Sequence, residues 1–552
     1  MKKLILASVS AAAVLIGGAA VAQSVSTVTQ TGNSNLVTID QTASDSATST
    51  VTQTSTGDTA TVTQGGKNNT STLSQNTDAG NDTGNVALIS QLGKGGSSDV
   101  GQFGGSFATV QQDVNSSGET AWIRQTGANP GSFGAGGATI YQNGKGEQAW
   151  ILQTGNGNAS TIQQTGVSNG LFGISPQAGF AAFDGVSGGS LNAGGFGGSS
   201  GTAQGAVSQQ LGDDNTSGID QAGRNDNAIN DVIGDNNIQM ISQSSSTKLA
   251  TAFVQTIGVN NTSNMFQFNG GSWSGAFQSG NNNTIFVAQN GTSDSAIGQG
   301  AFTTDGFAFG ESFVTGALAS VLQNGDGNTS NIVQFDTATS RVFQVAGAQG
   351  GNFSQIEQDV GANGALADIQ ETGSNGNSNV GQGGFEETAT VNQVAGSNKE
   401  SSDIGQLGAF DTAAVTQSGT SDNSDIIQVS DFDSATVTQS GENGFSAVSQ
   451  GGGIFDNATV SQSGKNDSSV IQQTGAGGGN SAEVSQSGKN DTSEIDQFGG
   501  SDSASVTQTG NGDMSTVTQS GGGNFASISQ ASHGAVSTVT QSGNGNSAFV
   551  HQ

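Results

Sequence analysis

The chain has 552 residues, with 12 lysines and arginines against 43 aspartates and glutamates, for a formal net charge of −31. So few basic residues cannot neutralise a run of phosphates, which argues against nucleic-acid binding. Hydrophobic residues make up 32%, glycine numbers 89 and cysteine is absent, which argues against three or four globular domains and against a disulfide framework.

Residues 1–22 have the pattern of a secretory signal peptide. Lys2 and Lys3 are followed by an apolar stretch from Leu4 to Ile16 and by Ala20-Val21-Ala22 before Gln23. The apolar run is short for a bilayer span, and no other segment of the mature chain could form one. The expected destination is therefore outside the cell. A repeat array then covers 23–170, with Gln30, Gln41, Gln53, Gln64 and Gln75 each preceded two residues earlier by Val28, Ile39, Val51, Val62 and Leu73. The beat is lost over 171–205, a Gly/Phe/Ser-rich stretch containing Pro176. It returns in degenerate form over 206–299, around Gln221, Gln255, Gln267, Gln278 and Gln289, and lapses again in the Gly/Phe-rich residues 300–320. Both lapses are expected to be insertions looping out between rungs; the alternative is degenerate rungs with phenylalanine in the interior. A regular array runs from 321 to 552.

The end of that array is the most informative segment. From Gln417 to Gln552, thirteen glutamines recur, and ten of the twelve gaps are 11 residues. Around Gln508 lie Asp502, Ala504, Val506 and Gly510; around Gln462 lie Asp456, Ala458, Val460 and Gly464. The consensus is [ND]-x-[AS]-x-[VI]-x-Q-x-G. Positions two apart share one face of a strand, so Asn/Asp, Ala/Ser, Val/Ile and Gln point one way. Polar residues such as Thr507, Thr516 and Glu483 point the other. Gly-rich runs such as Gly510 to Gly512 supply φ > 0 for turns.

Eleven residues make one strand and one turn; 22 make a strand–turn–strand rung. A lone rung buries too little to offset an ordering entropy of roughly 1–2 kcal/mol per residue, but stacked rungs cover valine with valine and join glutamine amides into ladders. The expected fold is all-β: a β-solenoid of stacked strand–turn–strand rungs of about 22 residues. Its structural ladder includes Val437, Gln439, Val460, Gln462, Val484, Gln486, Val506, Gln508, Val517, Gln519, Val539, Gln541, Asn546, Ala548 and Gln552. The chain stops on Gln552 without a polar cap, and its beginning looks equally uncapped, so open edges are expected to pair with another copy.

Other chemistries find little support. The histidines are His533 and His551, the pairs Asp213-Asp214 and Glu386-Glu387 point apart on a strand, and no catalytic motif appears. No enzyme activity, cofactor or metal is expected. Asp491 and Asp513 fall in one column and Asp502 between Asn480 and Asn524 in the other; they are expected near turns, in water, slowing premature aggregation. Strands such as Thr27-Val28-Thr29, Thr61-Val62-Thr63 and Thr538-Val539-Thr540 resemble the ice-facing ranks of some β-solenoid antifreeze proteins.

The repeat also resembles curlin, the subunit of bacterial curli amyloid fibres, built on S-x5-Q-x-G-x-G-N-x-A-x3-Q. Gln541, Gly543, Gly545 and Asn546 match Q-x-G-x-G-N, and Asn546, Ala548 and Gln552 match N-x-A-x3-Q. The resemblance implies a secreted fibre subunit supporting adhesion and biofilm matrix. It implies as partners the chain itself, a minor nucleating subunit and an outer-membrane export pore. Two features depart from familiar curlins: many more rungs, and a repeat already at Val28 and Gln30 where curlins carry an export-addressing segment. The alternative function is a monomeric surface adhesin or ice-binding solenoid.

Overall fold

Inward Ala or Ser and Val or Ile alternate with outward residues along most segments of the array, and in the computed structural model these segments are strands of five to ten residues. The structure describes residues 24–76, 84–126, 137–165, 205–224, 226–244, 250–268, 273–290, 301–303, 306–308, 318–335, 338–345, 351–394 and 396–552. No helix occurs among them, and so none long and apolar enough to cross a membrane. The 171–205 segment lies outside the described residues except for Gly205, which begins a strand. Of 300–320, the described part includes a short antiparallel pair, Ala301–Thr303 with Gly306–Ala308.

The chain divides into two units, residues 1–270 with 297–313 and residues 271–296 with 314–552. Each is a β-solenoid of two parallel sheets, with successive strands alternating between the sheets. In the second unit Ser481–Gln486, Ser503–Gln508 and Phe525–Gln530 stack in one sheet, pairing Val484 with Val506 and Val506 with Ile528. Ser468–Gln473, Thr492–Gln497 and Met514–Gly522 stack in the other. The first unit has the same plan: Val25–Gln30, Thr48–Gln53 and Thr70–Asn76 pair in register, Gln30 on Gln53 on Gln75.

Within each unit the inward residues of the two sheets form a thin core. Ala435, Val437, Ala458, Val460, Val484, Val506 and Val517 are fully or almost fully buried. Turn backbones are laddered as well, as in Ser487 N to Gln508 O at 2.9 Å and Thr492 N to Asp513 O at 2.8 Å. Parallel stacking thus pairs backbone that a lone rung would leave to water.

The turn glycines divide into two kinds. At several turns a glycine two after the ladder glutamine serves close approach: a Cβ on Gly488 would fall inside the carbonyl oxygen of Gly510 and 2.5 Å from Asp491 Oδ2. In the turns after Gln462, Gln486 and Gln508 positive φ falls instead two residues further on, at Asn466 (56°), Asn490 (57°) and Gly512 (72°), whereas Gly452, Gly521 and Gly543 have positive φ at the first place as well. Gly488→Ala is therefore expected to destabilise by about 3 kcal/mol. Gly512→Asn, in open space and with an asparagine already at the equivalent Asn490, is expected to change stability by less than ~0.5 kcal/mol. Thermal melts of the two variants decide the assignment.

Candidate functional site

The period-2 alternation turns every ladder glutamine inward, where a bare amide would cost several kcal/mol without partners. Stacking supplies them. Gln417, Gln439, Gln462, Gln486, Gln508 and Gln530 each donate from Nε2 to Oε1 of the next glutamine in the sheet, at 2.8–3.2 Å, ending on Gln552. In the facing sheet Gln473, Gln497 and Gln519 do the same toward Gln541, at 2.8–2.9 Å. The second N–H of each amide crosses the interior, as from Gln508 to Thr492 O at 3.0 Å and from Gln519 to Ser503 O at 3.0 Å. Each glutamine therefore ties its rung both along the stack and across it. The donors all point toward the next rung in sequence, so the stack is polar.

The expected ladder residues sit as follows. Val437, Val460, Val484, Val506 and Val517 have no exposed surface, and Val539 has 6%. Gln439, Gln462, Gln486, Gln508 and Gln519 are buried, and Gln541 is 6% exposed. Asn546 donates to Asn524 Oδ1 at 3.0 Å; Ala548 is half-buried and Gln552 exposed, on the last rung.

Gln255, counted with the beat, is not a ladder residue. Ala252, Val254 and Thr256 face inward, Thr256 stacks on Val232 in the ladder column, and Gln255 points outward to Asp231 Oδ2 at 2.9 Å. The glutamine is one residue out of frame, which on a strand reverses its face.

The Asn/Asp position also differs from expectation. Asp491, Asp502 and Asp513 are 0–1% exposed rather than solvated. Each carboxylate accepts the backbone N–H of the equivalent residue one rung on: Asp513 N to Asp491 Oδ1 at 3.0 Å, Asn524 N to Asp502 Oδ1 at 2.8 Å, and Asp433 N to Asp411 Oδ1 at 2.9 Å. This bond holds the start of each strand in register. Oδ2 of Asp411, Asp456, Asp467, Asp491, Asp502 and Asp513 has no hydrogen-bond partner in the structure. Burial pushes Asp411 up to about 7, Asp456 and Asp467 to about 6, and Glu387 to about 8. Like charge one rung away adds to the rise, from Asp433 on Asp411 and from Asp411 on Glu387.

One ladder residue escaped the glutamine count because it is a glutamate. Glu371 is fully buried, stacked on Gln393, and accepts from Gln344 Nε2 at 2.9 Å and Ser354 Oγ at 3.0 Å. Glu371 Oε1 and Gln393 Oε1 both lack partners. Burial raises its carboxyl to about 7.

No group of three or more His, Cys, Asp and Glu that could hold a metal occurs among the described residues. The Glu386-Glu387 pair lies in a turn rather than on a strand, Glu386 exposed and Glu387 buried. His533 pairs with Asn511 at 3.0 Å on the exterior and His551 is exposed. Threonine ranks are short: Thr27, Thr50 and Thr72 align, but Glu483 stands beside Thr459 and Glu494 beside Thr516.

The profile of the curlin associated repeat matches residues 137–166 and 488–521. No curated protein matches the chain.

Proposed function

Since the chain is a curlin-repeat protein with a β-solenoid fold, we propose that it is a structural subunit of extracellular amyloid-like fibres, growing end to end through its rung edges. The observation that carries this reading is the self-similarity of the rungs. Val or Ile and Gln pair in register on rung after rung, and Asn/Asp bonds its equivalent one rung on, so the edge of one copy matches that of another. The ladder's polarity supports the geometry: donor-side amides meet acceptor-side amides head to tail, and such contacts build open filaments rather than closed dimers. Val25–Gln30, exposed at all six positions, pairs on one side only among the described residues, and an edge of this kind is a template for a further strand.

In this reading residues 1–22 direct export, the fibre serves adhesion and biofilm matrix, and a nucleating subunit and an outer-membrane pore are its partners. The ladder residues carry the function because the function is assembly. The test is to dilute the chain from Gln23 out of denaturant and follow amyloid-dye fluorescence and electron microscopy. Unbranched fibres whose lag disappears on seeding are expected. A soluble β-rich monomer that never elongates would reject the proposal and favour a stand-alone adhesin.

A further inference from the structure

The corner joining the two sheets of the second unit carries an aromatic ridge. Phe385 and Phe410 meet edge to face with centroids 5.5 Å apart; Phe410 and Phe432 stack at 4.9 Å and 6°, and Phe432 and Phe455 at 5.0 Å and 28°. Phe410, Phe432 and Phe455 have φ of 61–62°. Other turns put Asn443, Asn466, Asn490, Ser421 or Ser501 at the corresponding left-handed place. A bulky aromatic there costs on the order of 1–3 kcal/mol of backbone strain, and stacking returns only ~0.5–1.5 kcal/mol per pair. The rings nonetheless stay 41–58% exposed, flanked by Leu407 at 66%, Val429 at 53% and Ile454 at 48%. Strain held on successive rungs, for side chains left in water, marks a surface.

We propose that this ridge is a lateral docking surface for a second copy of the chain, pairing two solenoids side by side. Two arguments choose that occupant. The ridge repeats at the rung spacing, and only another stack with the same spacing meets it at every rung, as identical side chains do in a dry zipper. The area also suffices. At about 200 Å² per large side chain, these seven residues leave on the order of 700 Å² exposed, above the few hundred usual for a monomer's patches. Burying two such ridges gives roughly 1,400 Å², within the range of specific interfaces. Glu386 and Asp431 lie exposed along the ridge, so pairing strengthens as salt screens their repulsion.

The pairing is independent of end-to-end growth, and electron microscopy separates them: width reads the ridge, length reads the rung edges. The variant is Phe410→Asn, Phe432→Asn, Phe455→Asn, which installs the residue other turns already use and relieves strain. Wild-type particles or fibres of paired width, widening with salt, and single-width variant ones with an equal or higher melting temperature are expected. If the triple variant does not fold, Leu407→Ser with Val429→Ser gives the same readout. Equal widths for wild type and folded variant, or wild type of single width at all salt concentrations, would overturn the proposal. So would a wild type that widens only when a different protein is added.

Discussion

Val460→Asp is expected to destabilise the second unit by about 4–5 kcal/mol and to abolish fibre growth. Val460 has no exposed surface and stacks between Val437 and Val484. A carboxylate there loses the valine's burial, on the order of 2 kcal/mol, and leaves a buried charge with no cation to pair it. Protonating it still leaves a hydroxyl in a column of side chains that neither donate nor accept. Thr438→Ser, on the exposed face of the same sheet, is expected to shift stability by less than ~0.5 kcal/mol and to leave fibres intact. Denaturant titration and fibre yield check both. Normal yield from the Val460→Asp protein would contradict the ladder account.

The second large effect depends on pH. Glu371 titrates near 7 in the fold against 4.5 for a free glutamate. The folded chain thus holds a proton over that interval that the unfolded chain has lost, so stability falls as pH rises from 4.5 to 7. Asp411, Asp456, Asp467 and Glu387, raised by burial in the same direction, add to the fall. The chain is therefore expected to melt several degrees higher, and to assemble faster, at pH 5 than at pH 8.

Glu371→Gln isolates one contribution. Its amide can donate to Gln393 Oε1, which has no partner beside the glutamate, and no longer ionises. A gain on the order of 2–3 kcal/mol at pH 8 and almost none at pH 4 is expected, read as two melting temperatures. An equal gain at both pH values would mean that ionisation of Glu371 is not what limits the native ladder.

Much of this architecture was legible in the sequence because it is encoded by two local rules. Alternation turned Val506 and Gln508 inward, and the 11-residue beat separated strand from turn. The same rules explain the misplacement of Gln255: the frame is set by Ala252 and Val254, not by the glutamine, and one residue reverses the face. Burial of Asp491, Asp502 and Asp513 was not legible. Locally an aspartate beside a turn favours water, and the bond that overrides this runs to a backbone 22 residues away. Glu371 was readable as a glutamate on the beat. The ridge of Phe410, Phe432 and Phe455 was not, because spacings of 22 and 23 residues become stacked rings only when rungs coincide.

Fibre diffraction of aligned assemblies grown from the chain beginning at Gln23 tests the central claim most directly. If copies extend the rung stack, a sharp reflection at about 4.8 Å is expected along the fibre axis, with a sheet-packing reflection perpendicular to it. A 4.8 Å reflection perpendicular to the axis would place the rungs along the fibre rather than across it and contradict growth through rung edges.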